Sequence, residues 1–269
     1  MIYKIKEPIY ICGDLHGNFH WIKPYIEMYG LSDCSLIFCG DVGLGFMPVN
    51  VWHNFVSDLK LVKCLKKHNI DCYFIRGNHD NPSWFDDKVL HTKHFKAVSD
   101  YSTLSSPNYN ILCIGGGISI DRIDRKIQMQ FSLSQYLKYH TSATLQEAKT
   151  KITQLYWENE APIYNEKALG KLTCQIDTVC SHVAPKEFIP YTKPGKIWLK
   201  NDKSLLKDCE NERQVLSNVL SYLLKHQHPV TNWFYGHYHF YENNKVGNIN
   251  TTLLDMARNK TLFIKELKS

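Results

Sequence analysis

The chain is predicted to adopt a layered α/β fold, and three features of its 269 residues carry that expectation. Short apolar, β-rich runs recur at 9–12, 36–39, 72–75, 111–114, 176–180 and 233–235. Helical segments alternate with them, as in a succession of βα units. Four of the runs lead into a Gly-flanked Asp, Asn or His, which holds that side chain at the strand's C-terminal edge, where open α/β sheets bind ligands.

The elements follow in order. Residues 19–30 read as a short helix after the first run. The run at 36–39 leads to a long amphipathic helix near 50–69, where Phe55, Leu59, Val62 and Leu65 share a face and Lys60, Lys63 and Lys67 point outward. Those lysines fit a solvated helix face better than a nucleic-acid patch. The run at 111–114 ends in Gly115-Gly116-Gly117, which permits a sharp turn or a close backbone approach. Residues 118–175 break the alternation: they are polar and aromatic, partly helical near 143–158, and read as an elaborated insertion or flap. A strand at 176–180, a Pro- and Lys-containing loop at 185–203 and a helix from about 208 to 226 follow. Beyond Tyr235 the pattern suggests β-hairpins, with turns at Asn243-Asn244 and Asn259-Lys260. There is no internal repeat or linker, so 1–269 is expected to form a single domain.

Composition sets bounds. Apolar residues make up 43% of the chain, enough for a sizeable core, and the net charge of +6 suits an anionic substrate or a plain solvated surface. The nine cysteines contain no Cys-x-x-Cys pair, and five of them, Cys12, Cys39, Cys72, Cys113 and Cys180, lie in or at the ends of apolar runs. That usage fits a reduced chain without a disulfide framework or zinc finger. Lys4, Lys6 and Glu7 interrupt any signal-peptide-like stretch, and no run approaches ~18 apolar residues. A soluble, cytoplasmic protein without membrane contact is expected.

Five blocks carry the chemistry: Gly13-Asp14-Leu15-His16-Gly17, Gly40-Asp41-Val42-Gly43, Gly77-Asn78-His79-Asp80, Ser181-His182 and Gly236-His237-Tyr238-His239. Each alone is an ordinary turn or cap. Together they deliver carboxylate, amide and imidazole donors to one rim, as a metal site requires.

In this order the blocks resemble the calcineurin-like metallophosphoesterase superfamily, along the chain from Gly13 to His239. The resemblance implies a four-layer α/β/β/α sandwich of two mixed β-sheets flanked by helices, with a dinuclear metal site at the strand C-terminal ends. It implies that Asp14, His16, Asp41 and His239 bind one ion and that Asp41, Asn78, His182 and His237 bind the other, Asp41 bridging. The cofactors would be two divalent ions. A mixed Asp/Asn/His shell suits Mn, Fe, Zn or similar ions over Ca or Mg. Two cations about 3.5–4 Å apart lower the pKa of a bridging water and clamp phosphoryl oxygens. Hydrolysis of a phosphomonoester or phosphodiester by a metal-bridging hydroxide is therefore the expected activity. His79 matches the family position that protonates or stabilises the leaving-group oxygen, help worth roughly 10²–10⁴-fold. Asp80 is read as a structural hydrogen-bond acceptor.

The sequence also departs from the family. Serine/threonine phosphatases of this kind carry Gly-Asp-x-x-Asp-Arg-Gly in the second block, and here Leu44 and Gly45 stand where the orienting Asp and the phosphate-gripping Arg would be. A protein-phosphatase activity is not expected. The stretch from Gly115 through Ser119, Asp121 and Arg125 resembles one found in microbial and phage members. Arg122 or Arg125 is the candidate replacement for the missing arginine, since a guanidinium there would grip phosphate oxygens in pairs. Pairing of these arginines with Asp within the loop is the competing reading. The partner is a phosphate-ester substrate. A nucleotide or cyclic nucleotide is a lean resting on Tyr136, Tyr139, Tyr156, Trp157 and Tyr164, aromatics able to stack a base. A nuclease on DNA or RNA is the alternative, and a non-catalytic protein-binding scaffold a second one.

Overall fold

The computed structural model describes residues 1–46, 59–85, 92–188, 194–258 and 261–268, with Leu59 and Lys60 described in backbone only. In chain order the elements are β1 (Ile2–Lys4), β2 (Ile9–Cys12), α1 (Ile22–Tyr29), β3 (Ser35–Phe38), α2 (Leu59–Lys67), β4 (Asp71–Phe74), β5 (Phe95–Ala97), β6 (Ser102–Ser105) and β7 (Asn110–Ile114). There follow α3 (Arg122–Tyr139), α4 (Leu145–Lys151), α5 (Glu166–Leu169), β8 (Thr178–Ser181), α6 (Lys196–Asn201), α7 (Leu205–Lys225), β9 (Asn232–Tyr235), β10 (Glu242–Val246), β11 (Ile249–Leu253) and β12 (Ile264–Glu266).

Two mixed sheets result, ordered β12-β2-β3-β4-β5 and β1-β6-β7-β8-β9-β11-β10. Strands β2 to β5 run parallel, as do β7, β8, β9 and β11, so the ligand blocks emerge from neighbouring C-terminal edges. Strands β3, β4 and β8 are buried at every position, which explains their continuous rather than alternating patterns: both faces are covered. Three apolar layers do the covering. Ile22, Ile26, Leu61 and Leu65 pack on the outer face of the first sheet. Ile11, Ile37, Tyr73, Cys113 and Cys180 lie between the sheets. Leu216, Val219, Leu220 and Leu223 of α7 cover the outer face of the second. The architecture is the expected four-layer sandwich.

Several expectations need correction. The segment 118–175 is helical within 143–158, at α4, but it also carries the 18-residue α3, which was not foreseen. Helix α3 has no fully buried residue: Met129, Leu133 and Leu137 are half-buried while Ile127 and Phe131 are exposed, so its apolar residues do not gather on one face. Asn243 and Asn244 lie inside β10, where Asn243 Oδ1 accepts from Thr252 Oγ1 and Lys265 Nζ. The turn falls instead at Gly247, whose φ of 59° suits it. Strand β12 does not close a terminal hairpin; it pairs antiparallel with β2. Asn259, Lys260 and residues 50–58 of the helix foreseen near 50–69 lie outside the described residues, while its second part is the helical α2. All nine cysteines are free, and no described helix is long and apolar enough to cross a membrane.

Candidate metal centre

The strand ends bring the seven sequence-nominated residues to one place. Asp14, His16, Asp41 and His239 form one group and Asp41, His182 and His237 another, with donor atoms within each group inside 4.8 Å of one another. Asp41 belongs to both. In the first group His16 Nε2 lies 3.1 Å from His239 Nε2, and His239 Nε2 lies 3.3 Å from Asp14 Oδ2. In the second, Asn78 Oδ1 lies 2.9 Å from His182 Nε2 and 3.0 Å from His237 Nδ1, while His182 Nε2 is 3.3 Å from Asp41 Oδ1. Lone-pair atoms from separate chain segments thus face common points. The mixed carboxylate, amide and imidazole donors fit two divalent ions.

The backbone is bent to achieve this. His16, Asp41, His237 and His239 have φ of 46°, 45°, 72° and 58°, left-handed values that non-glycine residues adopt at a cost of order 1 kcal/mol or more each. Main-chain groups then orient the donors. His237 N donates to Asp14, and His79 N donates to Asp41 Oδ1 at 2.7 Å. His182 Nδ1 donates to Cys39 O at 2.8 Å, across the two sheets, which leaves Nε2 free to coordinate.

The electrostatics agree with a site built for positive charge. Burial alone would raise the Asp41 carboxyl, but His182, His79 and His16 hold it well below the usual range. Burial opposes charge on His182, yet the Asp41 and Asp14 carboxylates outweigh it and lift that ring to about 10. Burial and the neighbouring His182 push His237 well down.

Asp80 is fully buried and accepts four main-chain N–H groups, from Gly77 and Val42 on one oxygen and from Gly43 and Leu44 on the other. It stitches the Asp41 loop to the Asn78 loop. The Leu44 side chain is fully buried in the helix-covered core. A Cβ added at Gly45 would lie 2.2 Å from Asn81 Cβ, so the loop has no room for an arginine there.

The loop after Gly117 supports the Asn78-His79 pair instead. Ser119 Oγ accepts from Asn78 Nδ2 at 3.0 Å. Arg125 places NH2 2.9 Å from His79 Nε2 and NH1 3.3 Å from Nδ1. The two ring nitrogens point in divergent directions, so a guanidinium spanning both lies against the face of the ring. Arg125 is itself held by Asp121 (Nε to Oδ1, 2.6 Å) and by Leu155 O. Burial and the Arg125 charge outweigh the pull of Asp41 and depress His79 to about 4. Arg122 is placed elsewhere: its donors go to Asp202, Ser204 and Asp208.

A cleft of ≈ 350 Å³ opens over this centre, floored by Asp41, Asn78, His237 and His239 and walled by His79 and Arg125 on one side. Ile118, Ile120 and Trp198 form an apolar wall. None of the five aromatics nominated from the sequence lines it. Trp157 is turned against Phe46, and Tyr164 packs on the core of the second sheet. Sequence reasoning also missed Ser119, Glu160 and Arg76. Only Ser119 lay within a recognisable motif.

A family model described as calcineurin-like phosphoesterase matches residues 7–241. The chain belongs to the calcineurin-like phosphoesterase family. Solved structures with similar outlines include a dimetal phosphatase from Danio rerio, at 13% identity and TM-score 0.41, covering 93% of this chain and 88% of that one. A phosphopantetheinyl hydrolase from Mycobacterium tuberculosis matches at 11% and 0.37, covering 93% and 89%. A 5'-nucleotidase described from Staphylococcus aureus matches at 11% and 0.39, covering 96% of this chain and 52% of that one. At these scores the likeness is one of outline only.

Proposed function

We propose that this member of the phosphoesterase family hydrolyses a small phosphomonoester or phosphodiester, with Asp14, His16, Asp41, Asn78, His182, His237 and His239 holding two divalent ions. The observation that carries the reading is the pair of donor groups sharing Asp41 on the floor of a cleft whose wall is His79 and Arg125. Two ions bound there would supply charge neutralisation and an activated water. Mn, Fe or Zn suits the donors best.

The chain's own residues supply the rest. His79 offers a ring N–H toward the leaving-group oxygen. Arg125, fixed by Asp121 and lying against His79, places its positive charge where negative charge develops and meets the phosphate oxygens. The apolar wall of Ile118, Ile120 and Trp198 excludes water and receives the organic part of the ester. Trp198 takes over the base-stacking part of a nucleotide lean. Arg125 is the only cation among the described residues lining the cleft, which supports a small substrate over a nucleic-acid strand.

The test is hydrolysis of a chromogenic monoester and a chromogenic diester by protein stripped with chelator and reloaded with Mn²⁺. Activity that appears only on reloading, and falls at least ~10²-fold in Asp41→Asn, is expected. Inert Mn²⁺-loaded protein would overturn the enzymatic reading, and full activity in Asp41→Asn would overturn the bridging role.

A further inference from the structure

Behind the cleft, Asn78 is braced by groups that no substrate reaches. Glu160 is 1% exposed and gives both carboxylate oxygens to one residue. Ser119 N donates to Oε1 at 2.8 Å and Ser119 Oγ donates to Oε2 at 2.6 Å. The same Ser119 Oγ accepts from Asn78 Nδ2 at 3.0 Å. A hydroxyl has a single proton. Because Glu160 takes it, a lone pair of Ser119 faces Asn78, and only the NH₂ end of the amide can answer a lone pair. The oxygen end is thereby turned toward His182 and His237, at 2.9 and 3.0 Å. The two ends of an amide are nearly equal in size, so sterics alone choose between them poorly.

Glu160 is itself held firmly. Its main-chain carbonyl accepts from Arg76 NH1 at 2.6 Å and from Gly117 N at 3.1 Å, and Arg76 is anchored by Asp100 at 2.9 Å. The buried Glu212 accepts from Ile118 N at 2.6 Å, tethering the residue just before Ser119.

We propose that Glu160 and Ser119 form a positioning relay that holds the Asn78 carboxamide with its oxygen toward the second ion's position, and so set the affinity for that ion. The proposal rests on the two-ion reading above. A carboxylate serves here because it accepts from both Ser119 donors. The amide introduced by Glu160→Gln would have one acceptor oxygen. If that oxygen kept the Ser119 N–H, the new NH₂ would face Ser119 Oγ. The hydroxyl proton would then turn to Asn78 and favour the reversed amide, with NH₂ toward the histidines. Ser119→Ala deletes the relay without disturbing the other bonds of Glu160.

The experiment titrates metal-free wild type, Ser119→Ala and Glu160→Gln with Mn²⁺ at pH 8, where Glu160 is ionised, reading bound ion by equilibrium dialysis and ion–ion coupling by electron paramagnetic resonance. Wild type is expected to take up two coupled ions. Both variants should bind the first ion as wild type does and the second ~10–100-fold more weakly, with uncoupled Mn²⁺ signals at one equivalent and above. Metal-free thermal midpoints monitor the fold, and Ser119→Ala decides alone if Glu160→Gln does not fold. Unchanged second-ion affinity overturns the relay. So does equal weakening of both ions, which is what a merely structural role predicts. Wild-type protein that binds one ion or none overturns the two-ion reading itself, a distinguishable result.

Discussion

Asp80→Asn changes a single oxygen into an NH₂ group, and the hydrogen bonds around that oxygen set the expected cost. The carboxylate accepts N–H groups from Gly77, Gly43 and Leu44 at 2.8 Å and from Val42 at 3.2 Å, two on each oxygen. Whichever way the Asn amide turns, two main-chain donors then face a donor in a fully buried site. Each such group costs about 1–3 kcal/mol, so ~2–6 kcal/mol of stability is at risk. Removing a negative charge near Asp41 works the other way and draws the expectation toward the lower end, ~2–4 kcal/mol. The damage is not confined to stability, because the four donors belong to the two loops that carry Asp41 and Asn78. Urea unfolding of metal-free wild type and variant at one pH measures the first effect, and Mn²⁺ binding to the folded variant measures the second. An unfolding free energy within ~0.5 kcal/mol of wild type would refute the reasoning, since a freely rearranging loop would have found other partners.

Three further outcomes follow from contacts at and behind the centre. Arg125→Ala should lower kcat/KM on a small ester by at least ~10-fold, whereas Arg122→Ala should leave kcat/KM intact and cost ~1–3 kcal/mol of stability through its bonds to Asp202 and Asp208. Equal kinetic losses in both would undo the division of roles. Gly40→Ala would set a Cβ 2.3 Å from His182 Nδ1 at a φ of 96°, so Mn²⁺ affinity should fall even where the fold survives; unchanged affinity would speak against the placement of His182. Burial raises the Glu160 carboxyl from 4.5 to about 7, so the folded chain binds that proton more tightly than the unfolded one. Its contribution is therefore fully present below pH 4.5 and is lost as pH rises toward 7, on the order of 3 kcal/mol at about 1.4 kcal/mol per unit. Read as the difference between metal-free wild type and Glu160→Gln in denaturant midpoints from pH 5 to pH 8, wild type should lose more; a parallel course would dismiss the buried-acid account.

What was legible in the chain was what is local in it. A donor one or two residues past an apolar run is fixed by strand direction, behind a glycine for Asp14, Asp41, Asn78 and His237 and behind Ser181 for His182, so these five were nominated before any contact was known, and the layered fold came with them. The helix at Arg122–Tyr139 was missed because its apolar residues are split between half-buried positions such as Met129 and Leu133 and exposed ones such as Ile127 and Phe131, which blurs the apolar period. Ser119 and Glu160 are 41 residues apart, and Arg76 and Glu160 are 84 apart. No spacing rule joins such pairs; only the folded sheet edges bring them together. The same limit applies to Leu44 and Gly45. From the sequence they were two missing functional groups. In the fold, Leu44 is a core side chain with its N–H on Asp80, and Gly45 abuts Asn81 with no space for a side chain. Support for Asn78 and His79 has to come from another direction, and one loop provides both parts: Ser119 meets Asn78, and Arg125 meets His79. Restoring an Asp at position 44 should therefore not rescue Arg125→Ala. It would bury a carboxylate in the helix-covered core and lose the Leu44 packing, a combined penalty of several kcal/mol. A Leu44→Asp, Arg125→Ala double variant that folds and regains wild-type kcat/KM would show that the two supports are interchangeable and that the loop's placement is incidental.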